Sequence, residues 1–185
     1  PVSAYVENLL PFFQQHPNAW LELRTKSTQI RSLLKRPALA NVIVAFSFSP
    51  DKIANALEHK APSIERRLEA LQKLAQHGWP LGLRIDPLIY DVDYQRYYAD
   101  LFAAIFQRIN PAQLHSVSFG PFRLPQPFYR TLRRLYPDER LFAGRFQQRN
   151  NMMSYPEHIE QQMRDFCTNE LLRYIPEDIL FPCEF

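Results

Sequence analysis

The sequence predicts an α/β fold: part of a parallel (β/α) barrel of the TIM type, with about four βα units followed by a C-terminal helical tail. Four short segments alternate polar and apolar residues as strands do, namely 20–26, 42–49, 81–86 and 114–120. Segments with helical periodicity lie between them, an order typical of parallel βαβ units. Each strand segment has one apolar and one polar face. The polar faces predict a wet or ligand-filled concavity, because charges are rarely buried without partners.

The chain opens with a helical repeat of apolar residues over 2–13, which ends before Pro17 because proline does not easily continue a helix. The first strand follows at 20–26. Its polar face carries Glu22, Arg24 and Lys26. We interpret Glu22 and Arg24 as a structural pair across the lumen of the barrel.

A short helix is predicted within 27–34 and the second strand over 42–49. After this strand, Ser49, Pro50 and Asp51 are typical of a helix cap and first turn. A longer helix begins at Pro62 and ends at Gly78, with a buried stripe that recurs at helical spacing. The stripe consists of Ile64, Leu68, Leu71 and Leu74.

The third strand begins after Pro80 and is followed by an amphipathic helix over 94–109. A turn at Asn110 and Pro111 leads into the fourth strand, and Pro127 begins a short helix that extends to Tyr136. We expect a single domain, with the partial barrel over 1–124 and the helical extension over 125–185.

The length of the chain limits how much of a barrel it can form. A closed eight-unit barrel needs about 250 residues, and this chain has 185. We therefore expect part of a barrel whose first strands lie upstream. The alternative is an open parallel sheet that is complete in itself. The charged inner face favours the barrel, because strands covered by helices on both faces read as continuous apolar runs.

The composition is typical of a globular protein. The net charge is only +3, so the overall charge does not by itself indicate a nucleic acid or an acidic membrane as partner. No apolar run reaches the roughly 20 residues of a membrane span, and the start lacks a signal region, so a cytoplasmic protein is expected. Two cysteines, Cys167 and Cys183, suit a reducing compartment. The histidines lack ligand spacing, so no metal ligand is predicted within the chain.

The stretch LRTKSTQIRSLL, followed by VIVAFSFSPDKIANALEHKAPSIERRLEALQKLAQHGWPLGLRIDPLIY, resembles the radical S-adenosylmethionine proteins of the spore photoproduct lyase family. The likeness is firm from Trp20 to Tyr90 and weaker beyond, where MMSY and FPCEF are similar to the tail of the family. It implies a barrel of the radical S-adenosylmethionine kind. It also implies a lyase that repairs a DNA base lesion by radical cleavage of a carbon–carbon bond.

The resemblance also implies two cofactors, S-adenosylmethionine and a 4Fe-4S cluster. In the family, three cysteines in a CxxxCxxC motif hold the cluster, which cleaves S-adenosylmethionine to a 5′-deoxyadenosyl radical. That motif is absent from this chain, and Cys167 and Cys183 are too few and too far apart to replace it. We interpret the chain as a fragment whose cluster is bound by cysteines outside it, and we expect the fragment alone to be inactive.

Three residues are implied as cofactor-binding by the resemblance. Lys26 and Ser47 match a lysine and a serine that contact S-adenosylmethionine in the family. Lysine suits the carboxylate of the cofactor as a point charge with three donors. Asp86 takes a position near the nucleoside where the family often has a small residue. It could accept a hydrogen bond from a ribose hydroxyl or could neutralise Arg84 and Lys26, and both interpretations stay open.

A local excess of arginine stands apart from the strand pattern. The segment from Arg123 to Arg149 holds seven arginines against two acids, interleaved with aromatic residues. Arginine binds phosphates and aromatic rings stack on unpaired bases, so DNA is a candidate partner here. The candidate contacts are Arg123, Arg130, Arg133 and Arg134. The alternative is an amphipathic helix with a solvated arginine face, in which Phe128, Leu132 and Leu135 belong to the core.

Two functional classes therefore remain. The first is the cofactor-binding and substrate-facing part of a radical S-adenosylmethionine lyase that acts on DNA. The second is a non-catalytic module on a degenerate barrel that binds nucleic acid or protein. The sequence does not indicate an oligomeric state.

Overall fold

A computed structural model of the protein describes residues 5–183. These residues form seven α-helices: α1 Tyr5–Gln15, α2 Arg31–Leu34, α3 Asp51–Leu57, α4 Ile64–Gln76, α5 Tyr94–Phe106, α6 Gln126–Leu135 and α7 Glu157–Leu171. They also form eight strands: β1 Leu21–Thr25, β2 Val42–Ser47, β3 Leu81–Leu88, β4 Leu114–Pro121, β5 Arg123–Pro125, β6 Gln147–Arg149, β7 Met152–Ser154 and β8 Leu180–Pro182. No helix in this range is both long and apolar enough to cross a lipid bilayer.

The main sheet has five parallel strands in the order β1-β2-β3-β4-β8. The α/β class and the four predicted strands are confirmed. The TIM-type barrel is not confirmed, because β1 and β8 remain separate edges and no barrel closes within the described part of the chain. The parallel arrangement places the carboxyl ends of all five strands along one edge of the sheet.

The apolar face of the sheet forms the core, as the alternation predicts. Phe46, Leu83 and Phe119 lie on three neighbouring strands and are fully buried. Helices α4, α5 and α7 pack near this core, and the predicted stripe of α4 is buried in full. Burial of an aliphatic or aromatic side chain contributes about 1.5–3 kcal/mol relative to exposure, so each of these buried residues stabilises the fold.

Local signals set the ends of the helices. Ser63 caps α4 by accepting a hydrogen bond from the backbone N–H of Arg66, and Gly78 follows the helix with φ of +89°, a conformation that favours glycine. The buried amide of Asn41 donates to three backbone carbonyls just after and within α1, those of Phe13, His16 and Ala19. This amide ties the end of α1 to the start of β2.

The C-terminal extension, predicted as helical, contains strands as well as helices. Helices α6 and α7 are present, but β5, which precedes α6, and β6 and β7, which follow it, form a small antiparallel sheet in the order β5-β7-β6. The tail then returns to the main sheet as β8, beside β4. These strands have three residues each, too few to show a periodic pattern in the sequence.

The contact between β4 and β8 gives a prediction about stability. A Cβ atom on Gly120 would lie 2.8 Å from the Cβ of Cys183, too close for real side chains. We expect Gly120→Ala to lower the free energy of unfolding by about 1–3 kcal/mol through overpacking, as measured by urea denaturation. In a Cys183→Gly background, which lacks the opposing Cβ, the same substitution should cost far less. An equal cost in both backgrounds would contradict the proposed clash.

Candidate functional site at the carboxyl edge of the sheet

The three predicted cofactor-binding residues lie at the carboxyl ends of adjacent strands. Lys26 directly follows β1, Ser47 is the last residue of β2, and Asp86 lies near the end of β3. In parallel α/β folds, ligands bind at this edge because loops and strand ends of several units converge there. The structure therefore gathers all three residues on the edge where a ligand is expected.

Arg24 connects two of these residues. Its Nε donates to the hydroxyl of Ser47 at 3.3 Å, and its Nη2 donates to the backbone carbonyl of Asp86 at 3.3 Å. The same Nη2 lies 3.8 Å from the carboxylate of Asp86. Both charged side chains are partly exposed, so this ion pair contributes little to stability. Its effect is to hold the ends of β2 and β3 in one polar network.

The predicted pair between Glu22 and Arg24 is wrong. Glu22 instead pairs with Arg84, whose Nε and Nη2 donate to the two carboxylate oxygens at 3.0 and 2.6 Å. The Arg84 hydrogen bond holds the pKa of Glu22 below its usual range, more than burial raises it. Arg84 also donates to the backbone carbonyl and the hydroxyl of Ser116. It is thus neutralised by Glu22, and Asp86 is not its partner.

Small residues make room for this long contact across the sheet. Ala45 and Gly82 are paired in register on β2 and β3, next to the guanidinium of Arg84. A Cβ on Gly82 would lie 3.0 Å from Arg84 Nη2 and 3.0 Å from the Cβ of Ala45. Glycine at this position lets Arg84 lie flat over the sheet and reach Glu22 on β1.

Lys26 pairs with a carboxylate that sequence reasoning missed. Its Nζ lies 2.9 Å from Oε1 of Glu58, which directly follows α3. The other oxygen of Glu58 accepts from Nη2 of Arg67, and Ser49 donates its hydroxyl to Glu58 at 2.8 Å. Ser49 is therefore a partner of Glu58, although the sequence predicted it as part of a helix cap.

The carboxylate of Glu58 is nearly buried, and its charge is well compensated. Its side chain is 9% exposed and that of Arg67 only 1%. Burial raises the pKa of Glu58, but hydrogen bonds from Arg67, Lys26 and Ser49 together outweigh burial and lower the pKa below its ordinary value. Arg67 further donates to the backbone carbonyls of Ser47 and Pro62. This network joins Lys26, the end of β2 and the start of α4.

One signal for Arg67 was present in the sequence. It falls on the buried stripe of α4, one turn from Ile64 and Leu71, where an arginine needs a partner. The partner could not be predicted from the sequence, because Glu58 lies in the connection between two helices, where no periodic pattern indicates which way a side chain points.

The four arginines predicted to contact DNA lie on two different elements. Arg130, Arg133 and Arg134 lie exposed on α6, whereas Arg123 is partly buried at the start of β5, where it pairs in register with Ser154. The structure does not bring all four predicted DNA contacts onto one element.

The apolar residues of α6 also differ from expectation. Phe128 is 51% and Leu135 60% exposed, so they do not belong to the core as the alternative interpretation required. Tyr129 is buried instead, with its ring centroid 5.2 Å from that of Phe142 and 5.7 Å from that of Phe146. The outer surface of α6 therefore presents arginines together with apolar side chains.

The two cysteines lie apart. Cys167 is buried in α7, and burial raises the pKa of its thiol. Cys183 follows β8 at the carboxyl edge and is partly exposed. Within residues 5–183, no group of three or more potential metal ligands comes together.

Comparison with known proteins identifies the family. The sequence model described as spore photoproduct lyase matches residues 2–180. The chain belongs to this family. It is similar to spore photoproduct lyase of Bacillus subtilis (strain 168), with 24% identity over 182 residues that cover 96% of this chain and 53% of the relative. A spore photoproduct lyase of a Geobacillus species is 24% identical over 65% of this chain and 36% of the relative.

Solved structures show the same fold. A mutant spore photoproduct lyase with bound AdoMet and dinucleoside spore photoproduct aligns with a TM-score of 0.75 at 20% identity, covering 90% of this chain and 51% of that one. A spore photoproduct lyase complexed with dinucleoside spore photoproduct aligns with a TM-score of 0.71 at 19% identity, covering 88% and 50%. The chain thus spans about half the length of the first relative and of these structures.

The cofactors that the spore photoproduct lyase family implies fit this chain unequally. The carboxyl edge suits S-adenosylmethionine, because it combines the partly exposed ammonium of Lys26, the hydroxyl of Ser47 and the carboxylate of Asp86, which is 33% exposed. These side chains can donate hydrogen bonds to the carboxylate of S-adenosylmethionine and accept them from its amine and hydroxyl groups. The cluster does not fit the described residues, because they contain two separate cysteines and no gathered set of ligands.

The pKa of Glu58 leads to a prediction about pH. Because its pKa is lowered in the folded protein, its contribution to stability is fully present above the ordinary value of 4.5 and is lost as the pH falls through the lowered value. Glu58→Gln should lower the free energy of unfolding by about 1–3 kcal/mol at pH 7. The difference from the parent should shrink as the pH falls below 4.5, measured by denaturation at several pH values.

Glu69→Gln on the exposed face of α4 controls for the loss of one negative charge. A difference between the parent and Glu58→Gln that stays constant over the whole acid range would contradict the charged state assigned to Glu58.

Proposed function

We propose that this chain is the S-adenosylmethionine-binding and substrate-facing part of a radical S-adenosylmethionine lyase that repairs a DNA base lesion by cleaving a carbon–carbon bond. The observation that carries the proposal is the family match over residues 2–180. A similar structure, whose fold aligns over 90% of this chain, holds both AdoMet and dinucleoside spore photoproduct. The polar carboxyl edge described above supports the same assignment.

The proposed roles follow from the chemistry of each residue. Lys26 binds the carboxylate of S-adenosylmethionine through a charge-assisted hydrogen bond. Ser47 adds a hydroxyl beside it, and Asp86 accepts from a ribose hydroxyl, since Arg24 neutralises its charge only in part. When bound, S-adenosylmethionine supplies the one-electron chemistry that breaks the lesion.

The remaining parts of the proposal concern what surrounds this chain. The 4Fe-4S cluster is assigned to cysteines outside residues 1–185, so the chain alone would be inactive. Residues 1–124 would be the cofactor-binding part and residues 125–185 an extension that faces the substrate. The cytoplasm is the proposed location.

The test of the proposed function uses the natural full-length protein, prepared without oxygen. We expect the visible absorption of a 4Fe-4S cluster. With a reductant and S-adenosylmethionine, the protein should convert dinucleoside spore photoproduct to two separate nucleosides, whereas the chain of residues 1–185 should convert none. A full-length protein with no cluster absorption and no conversion would contradict the lyase and favour the non-catalytic module.

DNA binding is proposed for the exposed arginines of α6. The segment after α6 contacts the loop that carries Glu58, because His59 and Glu139 approach to 2.9 Å. The end of α6 therefore lies close to the carboxyl edge. Arg130, Arg133 and Arg134 would hold the phosphate backbone there, while the exposed ring of Phe128 offers a stacking surface for an unpaired base.

Salt dependence tests this proposal. Changing Arg130, Arg133 and Arg134 to Gln should weaken binding to damaged and undamaged oligonucleotides alike, because phosphate contacts carry no sequence information. Three lost contacts should reduce the slope of log affinity against log salt by roughly two to three units. Titration of the full-length protein with a labelled oligonucleotide at several salt concentrations measures both effects.

A matched control removes the same charge at the opposite edge of the sheet. Lys35 and Arg36 directly follow α2 and Lys73 lies in the last turn of α4, and each of these helices precedes the amino end of the next strand. Their neutralisation should leave the slope nearly unchanged. Parallel salt plots for the α6 variant and the parent would show that its arginines are ordinary surface charge.

A further inference from the structure

We propose that Glu58 and Arg67 are positioning residues for the cofactor: together they hold the ammonium of Lys26 in the direction from which it binds the carboxylate of S-adenosylmethionine. This inference rests on the proposed function, in which Lys26 binds the cofactor.

The geometry shows a carboxylate anchored from several sides. The backbone N–H of Glu58 donates to the carbonyl of Ala54 at 2.8 Å, which fixes its position at the end of α3. Its carboxylate accepts from Arg67, Lys26 and Ser49, three residues on different segments of the chain. A group with so many partners has little freedom, so whatever it binds is held as well.

Arg67 anchors the carboxylate from within the core. Its side chain is 1% exposed and donates to the carbonyl of Pro62 at 3.0 Å and to that of Ser47 at 3.1 Å. The guanidinium thus has fixed contacts on both sides of Glu58, one in the loop before α4 and one at the end of β2. Outer partners of this kind orient the groups that touch a ligand.

Lys26 differs from these two residues because it is open to a ligand. Its side chain is 43% exposed, and it follows the edge strand β1. An ammonium has three donors, so the contact with Glu58 leaves donors for a second carboxylate. A lysine side chain without a partner loses much rotamer freedom when it binds a ligand. The pair of Glu58 and Arg67, called the tether below, already restricts the rotamers of Lys26, so less entropy is lost on binding.

The charges of the three residues explain why the tether does not block binding. Glu58 carries one negative charge and Arg67 one positive charge, so the buried pair is neutral as a unit. Lys26 therefore keeps its attraction for an anion while its ammonium is held in place. A lone glutamate beside Lys26 would instead compete with the carboxylate of the cofactor.

The test removes the tether without changing the net charge. In the full-length protein, Glu58→Ala combined with Arg67→Met removes both buried charges, a replacement that folded proteins often tolerate. We expect the affinity for S-adenosylmethionine, measured by calorimetry, to fall about 5- to 20-fold, the scale of one ordered lysine side chain. In a Lys26→Ala background, the same pair of changes should have almost no further effect.

Two controls keep the outcome decisive. Glu65→Ala with Arg108→Met removes another ion pair between helical segments, away from Lys26, and should leave the affinity unchanged. Should the first double variant fail to fold in denaturation experiments, Glu58→Asp keeps every charge but shortens the side chain. It should weaken binding several-fold in the parent and not in the Lys26→Ala background.

The outcomes separate this inference from the proposed function. If Lys26→Ala weakens binding and the tether variants do not, the positioning role is wrong and the cofactor assignment of Lys26 stands. If the tether variants lose as much affinity in the Lys26→Ala background as in the parent, Glu58 and Arg67 act through the end of β2 and not through Lys26. That result also overturns the inference. If Lys26→Ala leaves affinity unchanged, both the inference and the proposed role of Lys26 fail.

Discussion

The pairing of two buried guanidinium groups with carboxylates is the constraint on which the polar side of the sheet depends. Arg84 lies on β3 and its partner Glu22 on β1, so the contact crosses β2 over Ala45 and Gly82. Arg67 reaches Glu58 between two helices. An ion withdrawn from water without a partner costs several kcal/mol, and each pair avoids that cost by satisfying its donors with carboxylate and carbonyl oxygens. The small residues of the inner strands are required because larger ones would push Arg84 off the sheet.

These pairs decide which groups at the carboxyl edge remain available to a ligand. Glu22 and Arg84 neutralise each other, and so do Glu58 and Arg67. Lys26 keeps a partly exposed ammonium at this edge, beside the buried hydroxyl of Ser47, which accepts a hydrogen bond from Arg24. The molecule proposed to bind here, S-adenosylmethionine, is anionic at its carboxylate and bears hydroxyl groups. The fold alone would not indicate this ligand, since similar parallel sheets serve many chemistries.

The C-terminal segment completes the sheet and also extends the carboxyl edge. Strand β8 pairs with β4 through a close approach at Gly120, and the small antiparallel sheet comes between β4 and α7 in the chain. The contact between His59 and Glu139 connects this segment to the loop after α3. The segment that follows α6 is thereby held against the loop that carries Glu58.

The sequence by itself determined the α/β class, the four main strands, the buried stripe of α4 and the placing of Lys26, Ser47 and Asp86 at strand ends. These features depend on hydrophobic periodicity and on the residues that end helices and strands, which are local properties of the chain. Only the tertiary structure decided the partners. Glu22 pairs with Arg84 rather than Arg24, since the reach of a side chain across two strands depends on register and on the size of the residues between. Glu58 and Arg67 likewise meet only when α3 and α4 pack beside β2. The strands of the C-terminal segment and the exposure of Phe128 were decided in the same way, by contacts between segments distant in sequence.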